Sequence, residues 1–134
     1  MDQPTAPPPE PSRDFEGATS PDPEIAARMK TMLAQIWRTS EATLFERIAT
    51  IRAASVGIDD GTLDDERREQ ARAAAHKLAG VLGTFGLPQG TEVARQVEVL
   101  LESGKPAGPP EATRLTELLR QLVTIIETKS NSLE

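Results

Sequence analysis

Cysteine and tyrosine are both missing from the 134 residues, and histidine occurs once. The first absence removes disulfide frameworks, thiolate metal sites and cysteine nucleophiles together. The second, with one Trp and three Phe, leaves no aromatic platform on which bases could stack. A lone His means that a zinc site would need three carboxylates, an uncommon ligand set, so no metal is expected on this chain. Cations are in the minority: 15 Lys and Arg against 21 Asp and Glu give a net charge of −6. Such a chain repels phosphate backbones and anionic bilayers over most of its surface, so neither nucleic acid nor membrane is an expected partner. No apolar run approaches the roughly 20 residues that cross a bilayer. The N-terminus has neither the basic start nor the apolar stretch of a signal peptide. The expectation is a soluble, cytoplasmic, monomeric protein with one modest core.

What the chain does contain is helix signal. Residues 1–23 are rich in Pro, Ser, Asp and Glu with Phe15 their only large apolar residue, and read as a disordered tail or linker. From Glu24 the pattern changes. Ile25, Met29, Met32, Leu33 and Ile36 recur at three-and-four spacing, which predicts an amphipathic helix over 24–37. Thr39 or Ser40 is placed to cap a second helix with the stripe Leu44, Ile48, Ile51 and Val56. Gly57-Ile58-Asp59-Asp60-Gly61 reads as a turn. Thr62 with Asp65 resembles a capping box and opens a third helix, which runs to about Thr84. Pro88 suits the first turn of a fourth helix with Val93, Val97, Leu100 and Leu101, and 103–110 is a loop by composition. A last helix over about 111–129 carries Leu115, Leu118, Leu119, Leu122, Val123 and Ile126 on one side, and 131–134 is a short C-terminal tail. No stretch alternates as a strand does. Short connections favour antiparallel neighbours, so the fold class is all-α: an antiparallel up-and-down four-helix bundle, residues 24–130, with an additional N-terminal helix.

The informative stretch is 71–86, Ala-Arg-Ala-Ala-Ala-His-Lys-Leu-Ala-Gly-Val-Leu-Gly-Thr-Phe-Gly. At about 100° per residue, Leu78, Leu82 and Phe85 fall roughly opposite His76, with Ala71 and Ala74 on their side. The imidazole therefore faces solvent. Residues three, four and seven positions away share its face. These are Ala73, Ala79, Gly80 and Gly83, with Arg72 and Glu69 toward the N-terminus. Two glycines inside a helix cost roughly 1 kcal/mol each against Ala. Either they open access to the ring, or they permit close helix packing.

His76-Lys-Leu-Ala-Gly80, followed by Phe85-Gly86, resembles the His-x-Leu-Lys-Gly signature of histidine-containing phosphotransfer domains. Gly83-Thr84-Phe85-Gly86 also looks like the phosphoacceptor domain of chemotaxis histidine kinases. The resemblance extends over roughly 24–129. It implies that His76 accepts a phosphoryl group and exchanges it with a histidine kinase or with an aspartate of a response-regulator receiver domain. It also implies that the chain is a carrier with no catalytic activity of its own, and that the magnesium ion sits on the receiver. Partner contacts would come from Arg72, Ala73, Lys77, Ala79, Gly80 and Gly83. Ala79 departs from the pattern, since most of the family has Lys there; Lys77 or Arg72 could supply the charge. Glu69 is the carboxylate nearest in sequence to orient the ring.

Rival readings are specific. A helical adaptor would bind a receiver without carrying phosphate, and Ala79 is its best support. A coiled coil would need heptads that the turns at 57–61 and 104–110 interrupt. Asp59-Asp60 and Asp64-Asp65-Glu66 are carboxylate clusters, but turns and helix starts favour acids for capping and dipole reasons. Arg67-Arg68 reads as a solvated face or a partner contact.

Overall fold

The computed structural model describes residues 22–133, so most of the tail expected over 1–23 lies outside the described residues. Among the described residues all regular structure is helical: α1 (Pro23–Asp60), α2 (Asp65–Thr84), α3 (Pro88–Leu100) and α4 (Pro109–Ser132). None of these helices is long and apolar enough to cross a membrane. The chain divides into two compact units between Gln35 and Ile36, within α1, and the second of them holds the bundle.

Contacts near the helix ends fix the topology. Trp37 Nε1 donates to Ser130 Oγ at 2.8 Å, and Ser55 Oγ donates to the Ala112 carbonyl at 3.3 Å, so α1 and α4 run antiparallel. The Trp37 ring meets Phe85 edge to face at 4.9 Å, while the Leu63 N–H reaches the Gly57 carbonyl, which pairs α1 antiparallel with α2. Thr91 Oγ1 donates to the Ala79 carbonyl and Arg68 to the Leu101 carbonyl, each at 3.0 Å, which sets α3 antiparallel to α2. Arg114 donates to Gln96 at 2.8 Å between α4 and α3. The result is the up-and-down bundle expected from the short connections. Its core is a single cluster that includes Trp37, Leu44, Ile48, Ile51, Leu78, Leu82, Val97, Leu115, Leu122 and Ile126.

The start of the bundle departs from expectation. No break occurs at Thr39 or Ser40: helices expected at 24–37 and beyond are one helix of 38 residues. Ser and Thr inside a helix cost only a few tenths of a kcal/mol each. Buried Trp37 on one side of them and Leu44 on the other keep the helix in register, and Ser130 donates to the Glu41 carboxylate beside them. The stripe Ile25, Met29, Met32, Leu33 and Ile36, which reads as a packing face, is instead 50–58% exposed, and Val56 is exposed too.

The junction after α1 is also shifted. Gly57 to Asp60 belong to the helix, and only Gly61 takes left-handed backbone, at φ 75°. Gly57 is buried where a Cβ would stand 3.4 Å from Leu63. The cap of α2 is Asp64, whose Oδ1 accepts from the Arg67 N–H at 2.8 Å; Thr62 instead donates to Asp60 Oδ1 through its hydroxyl and its N–H. Acids in this stretch thus work as caps. Arg68 is a structural residue: its guanidinium donates to the carbonyls of Leu101, Glu102 and Lys105 and ties down the end of α3. Helix α4 begins two residues earlier than expected, where the Gly108 N–H donates to Glu111 Oε1 at 2.7 Å, and continues to Ser132.

Trp37 joins three helices through its ring and its N–H. Trp37→Ala should therefore lower stability by about 3–5 kcal/mol, measured as the denaturation midpoint by circular dichroism.

Candidate functional site

His76 stands in the middle of α2 with its side chain 72% exposed, while Leu78 and Leu82 on the opposite side are fully buried. The helical wheel placed it correctly. Its partner comes from the next helix. Nδ1 of His76 lies 3.1 Å from Glu98 Oε2 and 3.3 Å from Oε1. An ionised carboxylate can only accept, so Nδ1 is the donor in this contact, and in the neutral ring the lone pair is on Nε2.

Glu98 is itself held. Arg72 donates to Glu98 Oε2 at 3.0 Å and to both oxygens of Glu69, at 2.6 and 2.8 Å. The hydrogen bond from Arg72 holds the Glu69 carboxyl below the usual carboxylate range. Its counterpart, with the nearby Glu98 charge in support, raises Arg72 above its ordinary value. The chain of contacts runs Glu69–Arg72–Glu98–His76. Glu69 therefore does not orient the imidazole, as its closeness in sequence suggested; it orients Arg72. The guanidinium of Arg72 in turn is committed to two carboxylates.

Between α2 and α3 lies an open groove of about 430 Å³ bordered by His76, Ala79, Gly80, Arg95, Glu98, Val99 and Glu102. Four of these, Arg95, Glu98 and Val99 on α3 and Glu102 just beyond its end, were not singled out from the sequence. The residues that were singled out separate into groups. Gly80 is exposed and borders the groove, and Ala79, though buried, borders it as well. Lys77 is exposed but does not line the groove, and Ala73 is half-buried.

The two glycines divide the two explanations offered for them. A Cβ at Gly80 would meet nothing within 4 Å, whereas one at Gly83 would come within 3.3 Å of Thr91 Oγ1. That hydroxyl is not free to move, because it donates to the Ala79 carbonyl. Gly80 keeps space open beside the ring, and Gly83 allows α3 to approach. The tightest contact belongs to a third glycine: a Cβ at Gly90 would fall 2.9 Å from Leu82 Cδ1.

Gly80→Ala should then stabilise the bundle by up to about 1 kcal/mol through helix propensity alone. Gly83→Ala should gain less or lose, because Thr91 must shift. Thermal melting of the two variants side by side checks the difference.

A family model described as Hpt domain matches residues 35–125. The chain is 28% identical over 95 residues to Protein RcaC of Microchaete diplosiphon, an alignment that takes in 71% of this chain and 14% of that protein. It therefore spans a small fraction of that relative's length. No solved structure matches it. The match over 35–125 covers α2 and α3 whole and most of α1 and α4, and the chain belongs to the Hpt domain family, whose members carry phosphoryl groups in two-component signalling.

Proposed function

We propose that His76 is the phosphoacceptor, and that the chain carries a phosphoryl group between a histidine kinase and/or the aspartate of a response-regulator receiver domain. The observation that carries this reading is the exposed imidazole with Nδ1 on Glu98. Nε2 attacks the phosphorus of an aspartyl phosphate; the P–N bond forms as the P–O bond to the aspartate breaks, and the carboxylate leaves with the electron pair. The ring gains positive charge, which Glu98 stabilises through the Nδ1 proton. In the reverse direction the same proton lets the imidazole leave as a neutral group. Transfer of this kind depends on positioning and on charge neutralisation, so a carrier needs little chemistry of its own. The magnesium ion belongs to the receiver. Arg72, Ala73, Lys77, Gly80 and Gly83 form the face offered to the partner, with buried Ala79 behind it, and open space at Gly80 admits the receiver's aspartate to in-line attack.

Incubation with a phosphorylated receiver should place acid-labile, base-stable phosphate on the chain. His76→Gln should abolish that label and leave the helical signal intact. Label that persists on the variant would refute the assignment, and binding without any label would favour the adaptor. Glu98→Ala removes a hydrogen bond to a charged group and should slow phosphorylation about tenfold, with stability nearly unchanged; single-turnover transfer kinetics measure it.

A further inference from the structure

A phosphoryl group on His76 would stand beside a groove that already holds negative charge. Glu98 and Glu102 both border it. Phosphate adds a charge of about −1.5 to −2 near neutral pH, so like charges would crowd unless a cation stands beside them. Three cations come into question on α2 and α3. Arg72 is bound to Glu69 and Glu98 at 2.6 to 3.0 Å. Lys77 lies outside the groove. Arg95 lines the groove together with His76 and Ala79, is exposed, and makes no ion pair among the described residues. It sits one turn before Glu98 on α3, at the three-residue spacing that puts two side chains on one helix face. The small side chain at Ala79 and the absence of one at Gly80 leave the space between Arg95 and the ring unfilled.

We infer that Arg95 is the phosphate-binding residue of this site, its guanidinium reaching across the groove to the phosphoryl oxygens on Nε2 of His76. The fork of N–H donors suits a phosphoryl group, which presents paired oxygens. This inference rests on His76 as the acceptor and adds the group that neutralises the charge it takes on. The cation that meets the phosphoryl group therefore comes from the helix opposite the histidine. Docking of a receiver is not required for that contact.

The test uses the full chain and a small donor, phosphoramidate, so that no partner surface contributes. Nε2 attacks the phosphorus, the P–N bond to the donor's nitrogen breaks, and that nitrogen leaves as ammonia after taking up a proton. Phosphorus NMR then follows formation of phosphohistidine and its titration with pH. In Arg95→Ala the phosphoryl titration midpoint should rise by about half a pH unit, the size expected for a partly exposed ion pair. Phosphorylation should slow several-fold. Glu98, Glu102, Arg72 and Lys77 remain in place in every variant, so their influence on the midpoint is common to all. Arg95→Lys should retain most of the effect, and Ala79→Lys placed in the Arg95→Ala background should restore the midpoint from the other wall of the groove. Melting curves should coincide, since Arg95 is exposed. An unchanged midpoint and rate in Arg95→Ala would overturn the inference and leave His76 as acceptor untouched. Failure of phosphohistidine to form on the unmodified chain would overturn both. An Arg95→Ala chain that takes phosphate normally from phosphoramidate, but poorly from a receiver, would place Arg95 in partner docking and also overturn it.

Discussion

The antiparallel seam between α2 and α3 is the constraint on which the site depends. Three side-chain features hold it close and in register. Gly90 lets Leu82 sit against the α3 backbone, Thr91 bonds the Ala79 carbonyl across from Gly83, and Arg68 ties α2 to the carbonyls that end α3. A slip of one residue would turn a different face of α3 toward α2, because successive residues on a helix are separated by about 100°. The seam thereby fixes the distance between the imidazole Nδ1 of His76 and the Glu98 carboxylate.

The electrostatics follow from that register. His76 is exposed, but its carboxylate partner is not: the Glu98 side chain is 21% exposed and shared with Arg72. A surface ion pair alone contributes little, since solvent screens it and two long side chains lose freedom. Here Arg72 links Glu69 on its own helix to Glu98 on the next, so the carboxylate beside the ring is restrained. The ring is therefore held from one side, through Nδ1, while the rest of its side chain stays exposed.

Much of this was legible in the residues. Periodicity at Leu78, Leu82 and Phe85 was enough to put His76 on the solvent face, and Pro88, the loop after 102 and the leucines of the last helix marked out the bundle. The polar periphery was harder. Thr39 and Ser40 look like caps, yet the helix passes through them, because capping preference is worth about 1 kcal/mol and burial of Trp37 and Leu44 on either side outweighs it. The apolar stripe of Ile25, Met29, Met32, Leu33 and Ile36 has helical spacing and is helical, but spacing says nothing of whether a neighbour covers it.

The partners of the histidine show where the boundary falls. Glu69 was the nearest acid along the chain, and it serves Arg72 instead; Glu98 is 22 residues away and contacts the ring. His76 and Glu98 lie equally far from Leu87 in the short connection, which brings mirror-related residues of a helical hairpin together. The amino-acid sequence by itself determined that this chain is a set of amphipathic helices with a single imidazole turned outward, because apolar periodicity is a local property of each helix. Which carboxylate meets that imidazole was decided only by tertiary structure, because the closeness of α2 and α3 depends on packing at Gly83, Gly90 and Thr91, and no local pattern says which residues of a distant helix that packing brings to the ring.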